Sequence, residues 1–487
     1  MKEITVLFMP HPPIIIPKIG GGEGTLAYKT IQGMHQLGKL VADVKPNTIV
    51  FTTPHGNSFK NGTCLLNELK LSGDFSVYGH PEIQFSKRMN QTLTMEINNA
   101  FEEADYISIL MDKSIERQYR GKTTLDNGVL VPMFFIEQYY QDYDIVHITP
   151  GLTSLEENYT LGHLIGEVIM QRKEIVLVVC SGDLSHALKD EGPYNYHPSG
   201  PKLDKIVCNA IQEKEPLTLI HLDKDDLENA AQCGIRSFLM GFGIFDGVGY
   251  RSKVVTYEGP FGVGYLTGYL QTEYALKNSS IFSKIEEKRL KSYEKRLSKE
   301  DDYIKLARMV IDYYVRYRRK LDFSQVKDQF KDQFKDQFKE DFILEAEERN
   351  AGAFVSIHSH GELRGCIGTI EATQNSLIEE IILNAINACA YDPRFDPIDK
   401  KELWDLDIHV DVLLQPEPVG SKLELDIVKF GVIVEKGNKR GLLLPDLDGV
   451  HSVDEQVQLA MKKAGIYNEK EMRMYRFEVI RHGVKHQ

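Results

Sequence analysis

No CxxC pair occurs in this sequence of 487 residues, and its six cysteines, at 64, 180, 208, 233, 366 and 389, follow no regular spacing. That excludes the usual zinc-ribbon and clustered iron-sulfur signatures. Positive charge is outnumbered, 58 Lys and Arg against 71 Asp and Glu. The formal net charge of -13 repels phosphates at long range, so neither nucleic acid nor an anionic lipid surface is indicated as a partner. At the N-terminus the apolar run is short: it is broken by His11, Pro12 and Pro13, which fits neither a signal peptide nor a membrane span. The expected address is the cytoplasm, with thiols kept reduced.

What is present is an ordinary globular composition, 42% hydrophobic and 26% charged, in a chain too long for one core. Glu3 to Met9, Thr48 to Thr53, Ile145 to Ile148 and Ile175 to Cys180 read as buried strands, and Gly24 to Leu40 has helical spacing. Val254 to Tyr269 reads as one Gly-rich closing strand. The spacing thus predicts an α/β domain over 1–271. A charged helical linker follows over 272–300, rich in Lys, Glu and Ser. The second domain, 301–487, opens with a periodic helix from Asp302, capped by Asp301 or Asp302, and continues with mixed strands and helices, an α+β pattern. Inside it KDQF repeats three times from Lys327 before KEDF, an insertion over 327–342 with phenylalanines at 330, 334, 338 and 342. A partner-binding amphipathic helix and a repeat expansion in a surface loop both explain it; the second is favoured, because exposed loops accept insertions.

Three histidines follow strand ends: His11 in MPHPP, His55 in TTPHG and His186 in SGDLSH. Any one alone reads as an ordinary loop or core histidine, but ligand sites of α/β sheets gather where loops leave the strands. Together the three point to a mononuclear metal pocket. Two imidazoles and one anionic ligand leave open positions on iron(II), where a substrate and dioxygen can bind side by side. Ring opening also needs a group that takes and returns a proton. His186 suits that role, with Asp183 three residues earlier to orient its ring, although Asp183 also reads as a helix or turn cap. The run Gly20-Gly21-Gly22-Glu23-Gly24 lacks a following Lys-Ser/Thr and reads as a flexible lead-in to the helix, not a phosphate loop.

Taken together, MPHPP, TTPHG, SGDLSH with GPYNYHPSGPKLD after it, AAQCGIRSF and YEGPFGVGY resemble the class III extradiol dioxygenase superfamily (LigB-type), and within it the Memo-like branch, over roughly residues 1 to 270. The resemblance implies a LigB-like α/β fold, with His11 and His55 as metal ligands and His186 as the catalytic histidine. It also implies a departure: ring-cleaving members supply a carboxylate as third ligand, whereas the Memo-like branch places a cysteine there, here Cys233. Iron(II) is the first expectation. A thiolate is softer and shifts preference toward zinc or copper(I). Glu228 is the less favoured carboxylate substitute, and Cys233 also reads as a small buried hydrophobe.

In the second half, SHGELRGCIGT (359–369), AYDPRFDPI (390–398), LLQPEPV and VIVEKGNKRGLLLP resemble the AMMECR family. Arg364 beside Gly365 offers a guanidinium fork to a carboxylate or phosphate, and Cys366 becomes a nucleophile if its thiolate is stabilised. The alternative, slightly favoured for Cys366, is a structural turn in which Asp392 and Arg394 pair internally. His358 and His360 do not identify a base. Memo-like and AMMECR-like parts in one chain resemble the AmmeMemoRadiSam system, whose third component is a radical S-adenosylmethionine (radical SAM) protein. The cysteine cluster of that component is missing here, which makes it a separate partner. The expected activity is therefore a metal-dependent oxidoreductase acting on a small molecule, with a non-dioxygenase metal-binding adaptor or modification-system subunit as the alternative.

Overall fold

The computed structural model describes residues 3–277, 279–320, 338–447 and 449–483. The chain divides into two compact units, Met1–Glu287 and Lys288–Gln487. Among the described residues no helix is long and apolar enough to cross a membrane.

The first unit is an α/β body whose strands are β1 (Thr5–Met9), β2 (Thr48–Thr52), β3 (Thr63–Leu66), β4 (Lys70–Phe75), β5 (His80–Arg88), β6 (Ser108–Met111), β7 (Asp144–Thr149), β8 (Val176–Ser181), β9 (Val248–Glu258) and β10 (Tyr265–Lys277). All but β4 and β5 join one mixed sheet of order β6-β3-β7-β2-β8-β1-β10-β9. Its centre is parallel: β1 pairs with β8, β8 with β2 and β2 with β7. The sequences TVLFM, TIVFT and VLVVCS are buried at every position, as expected for parallel strands covered on both faces. Because the strands run the same way, their C-terminal ends, and the loops beginning near residues 10, 53 and 182, emerge along one edge.

Helices cover both faces. Leu155–Gln171 is capped by Ser154, whose side chain accepts from the Glu157 N–H, and carries Glu156 and Glu157 in its first turn. It packs closely on the helix Ile235–Gly243, since a Cβ at Gly162 would collide with the backbone of Met240. Where the sequence reads as one closing strand over Val254–Tyr269, the chain forms an antiparallel hairpin of β9 and β10. The cause is turn chemistry: the connecting GPFGVG carries Gly262 at φ +78°, a left-handed conformation that breaks the strand. The glycine run near residue 20 is likewise not a loose lead-in. It lies in the helix Pro17–Gly24, interrupted at Gly21 with φ 50°.

The second unit is α+β. Two antiparallel sheets, β12-β11-β13-β18 and β14-β17-β15-β16, use β11 (Ala353–Ser359), β12 (Glu362–Gly368), β13 (Leu406–Leu413), β14 (Glu417–Val419), β15 (Gly431–Lys436), β16 (Lys439–Leu443), β17 (Arg473–Phe477) and β18 (Val479–His482). The helix Asp302–Tyr317, capped by Asp301, and the helix Leu377–Ala390, capped by Ser376, share a core with β11 and β13. Most of the KDQF insertion, including Phe330 and Phe334, lies outside the described residues. Phe338 and Phe342 are buried in that same core, their rings stacked at 5.7 Å, and Phe342 meets Tyr303 edge-on at 4.8 Å. Where the sequence favours an exposed expansion, these two rings are therefore core residues, Phe342 in the helix Glu340–Glu348 and Phe338 just ahead of it.

Candidate metal centre

His11 leaves β1, His55 lies three residues beyond β2, and Cys233 stands just before the helix Ile235–Gly243. The three come together. His11 Nε2 lies 2.8 Å from His55 Nε2 and 3.7 Å from Cys233 Sγ, and all three ligand atoms fall within 4.8 Å of one another. Bonds of about 2.1 Å to nitrogen and 2.3 Å to sulfur in a tetrahedral site place ligand atoms roughly 3.4 to 3.6 Å apart. The donor set fits one ion, with a small widening of the histidine pair.

His11 and Cys233 are fixed from behind. His11 Nδ1 meets Ser181 Oγ at 2.9 Å, at the end of β8, which leaves Nε2 for the pocket in the usual outer-shell manner. Burial pulls the His11 pKa down to about 4, so its imidazole is neutral at physiological pH. His55 is also lowered, by burial and then by His11. Burial, with Asp183 nearby, pushes the Cys233 thiol up; without a cation it stays protonated.

Asp183 is the organiser of this cluster. Its Oδ1 accepts the His11 backbone N–H at 3.0 Å, its own N–H donates to Cys233 Sγ at 3.3 Å, and its carbonyl accepts the Gly234 N–H at 3.0 Å. Oδ2 lies 3.9 Å from His11 Nε2. Burial raises the Asp183 carboxyl to about 6. The sequence suggested that Asp183 orients His186, but its hydrogen bonds go to His11 and the Cys233 turn, because β1 and β8 are paired with Met9 opposite Ser181, which brings residue 183 beside residue 11. His186 is held differently: its N–H donates to Ala230 O at 3.0 Å, and its ring stacks on Tyr194 at 6.0 Å. Its pKa is lowered, mainly by burial. Glu228 is exposed and pairs with Lys224 at 3.8 Å, outside the cluster.

Sequence reasoning missed a carboxylate behind His55. The His55 N–H donates to Thr53 Oγ1 at 3.2 Å, Thr53 Oγ1 donates to Asp126 Oδ1 at 2.6 Å, and Asp126 Oδ2 meets His147 Nε2 at 2.8 Å. Burial raises the Asp126 pKa, but the hydrogen bonds from His147 and Thr53 outweigh it and hold the carboxyl below its usual range. The available signal was Asp126-Asn127-Gly128 at the start of an apolar helix, a cap by its pattern.

In the second unit, Arg364 is occupied. Its fork binds Glu402 at 2.7 and 3.0 Å, and it donates to Asp396 O at 2.6 Å. Asp392 and Arg394 pair at 2.6 Å. Asp392 also accepts the Cys366 N–H at 2.9 Å, while Arg394 donates to Cys366 O at 2.8 Å. The segment DPR thereby fastens β12, and Cys366 Sγ receives a hydrogen bond from Ser356 at 3.1 Å.

The family model of the catalytic LigB subunit of aromatic ring-opening dioxygenase matches residues 5–268. The chain belongs to the LigB family. Its second unit matches AMMECR1 over residues 304–482. A Clostridium acetobutylicum protein is 36% identical over 475 residues, 97% of this chain and 98% of its own length, so the union of the LigB and AMMECR1 units is shared. A Thermotoga maritima protein is 46% identical over 185 residues, 38% of this chain and 98% of its own length. Among solved structures, uncharacterized protein JW3007 from Escherichia coli K12 aligns with 55% of this chain and 99% of its own, at 14% identity and a TM-score of 0.39.

Proposed function

We propose that the LigB unit holds one metal ion, iron(II) in the first place and zinc or copper(I) as alternatives, through His11, His55 and Cys233, and acts as an oxidoreductase of the extradiol ring-cleavage type on a small molecule. The observation that carries this reading is the convergence of three ligand atoms within 4.8 Å at the edge where the parallel strands end. When bound, iron(II) supplies Lewis acidity and reducing electrons for dioxygen chemistry. The chain supplies the rest. Ser181 holds the His11 ring, Asp183 holds the His11 backbone and the Cys233 turn, and His186, neutral through burial, takes a substrate proton on a ring nitrogen and returns it later.

A second reading has its own support. Cys233 stands where ring-cleaving relatives are expected to carry a carboxylate, which favours a metal-binding adaptor or modification-system subunit without dioxygenase turnover. The joining of LigB and AMMECR1 units in one chain supports a separate radical SAM protein as partner, and six free thiols suit the reducing cytoplasm. Metal analysis of the anaerobically purified full chain tests the site: the double variant His11→Ala/His55→Ala loses the ion, and unchanged metal content overturns the site. Oxygen uptake with a panel of catechols then separates the readings. Uptake that requires His186 supports the oxidoreductase, and its absence in the iron-loaded protein leaves the adaptor.

A further inference from the structure

Several arginines of low exposure lie against carboxylates: Arg172 on Glu96 and Glu174, Arg308 on Glu300, and Arg364 on Glu402. Arg236 does not. Its one hydrogen bond among the described residues runs from Nε to Thr153 O at 3.2 Å, and no carboxylate there lies within ion-pair distance. Burial depresses its pKa, and no charged neighbour offsets the effect. A guanidinium carries five N–H donors in a planar fork. Removing such a group from water without a counter-charge is costly, so its retention calls for a compensating partner.

Its place in the fold says where that partner arrives. Arg236 follows Cys233 by three residues, in the first turn of Ile235–Gly243. The next side chain, Ser237, donates to Thr52 O at 2.9 Å, at the end of the strand that leads to His55. Thr153 lies on the loop leaving β7, and that loop is tied to the His55 loop by a hydrogen bond from Leu152 N to Phe59 O at 2.9 Å. The guanidinium thus starts from the turn that presents Cys233 and is held on the loop leaving β7, which is itself tied to the loop that presents His55. The helix N-terminus beside it adds to the positive potential.

We infer that Arg236 is the anion anchor of the metal pocket, and that the small molecule bound there carries an oxyanion, a carboxylate or a phosphate, which pairs with the guanidinium fork. This inference rests on the functional reading only for the pocket's location; the anchor itself needs no turnover. It names a substrate property: neutral compounds forgo the contact, and anionic ones gain it.

Isothermal titration of the zinc-loaded full chain tests the anchor with four probes: catechol, 3,4-dihydroxybenzoate, benzoate and inorganic phosphate. At least one anionic probe is expected to bind, and Arg236→Gln to weaken that binding about ten- to hundredfold, the range for hydrogen bonds to a charged group. Arg236→Lys, which keeps the charge and loses the fork, is expected to retain part of the affinity. Zinc content, equal in the three proteins, reports that the pocket is intact. Stronger binding of benzoate than phosphate assigns the carboxylate, and the reverse assigns the phosphate. If no anion binds, or if Arg236→Gln binds anions as the unaltered chain does, the anchor is overturned. If benzoate or phosphate binds in an Arg236-dependent way while neither catechol nor 3,4-dihydroxybenzoate binds, the anchor stands and the ring-cleavage reading falls.

Discussion

Two cysteines, Cys233 and Cys366, each sit next to a glycine and close to an arginine and an aspartate, yet their surroundings differ in kind. Around Cys366 the charges close internally: Asp392 accepts from the Arg394 fork and the Cys366 N–H, and Arg394 donates to the Cys366 carbonyl. Around Cys233 the same accounting leaves a remainder. Two imidazoles and a thiol face one another, and the Asp183 carboxylate stands near His11 with no Lys or Arg paired to it among the described residues. A cysteine at a structural clasp and a cysteine in a cluster of metal-binding side chains look alike in sequence; the partners around them separate the two.

The most severe test of this contrast is loss of metal. His11→Ala/His55→Ala is expected to reduce metal affinity by at least a hundredfold, measured by elemental analysis after dialysis. Cys233→Ala has a smaller effect, about ten- to hundredfold, whereas Cys366→Ala leaves metal content unchanged. Equal losses from the two cysteine variants would erase the distinction. Next in size is the clasp: Asp392→Asn is expected to destabilise the second unit by about 1 to 2 kcal/mol near neutral pH, the lower part of the range reflecting the exposure of Arg394. Denaturant unfolding monitored at Trp404 measures it, and an unchanged midpoint would show that the pair is ornamental.

A pH series sharpens the same point. The Arg394 hydrogen bond comes first among the causes that hold Asp392 down to about 2, below its unfolded value of about 3.9. A depressed carboxyl stabilises the fold above its unfolded pKa and loses that contribution as protons bind. The second unit should therefore weaken between about pH 4 and pH 2, and Asp392→Asn should reduce that acid-dependent loss. The smallest effect is expected from Cys366→Ala itself, within about 1 kcal/mol at pH 7, since only the Ser356 contact is given up.

Much of the first unit was legible because parallel strands buried on both faces announce themselves as unbroken apolar runs, and because histidines stood at three of their ends. Cys233 was reached through family resemblance alone, as no periodicity links residue 11 to residue 233. Asp126 and Arg236 were not legible. A capping aspartate and a surface arginine are written with the same letters as a buried carboxylate behind a ligand and an uncompensated cation; only the partners distinguish them. The β9–β10 hairpin was missed because its turn residues were read as part of the strand, although Gly-Pro and Gly262 were the signal.

The burial of Phe338 and Phe342 bears on how this gene can change. Each KDQF unit ends in phenylalanine, and the last is followed by Lys339-Glu340-Asp341-Phe342. Replication slippage that adds or deletes a whole unit still delivers a phenylalanine four residues ahead of Phe342. The spacing that sets Phe338 beside Phe342 is thus written by whichever unit stands last, and does not depend on how many units precede it.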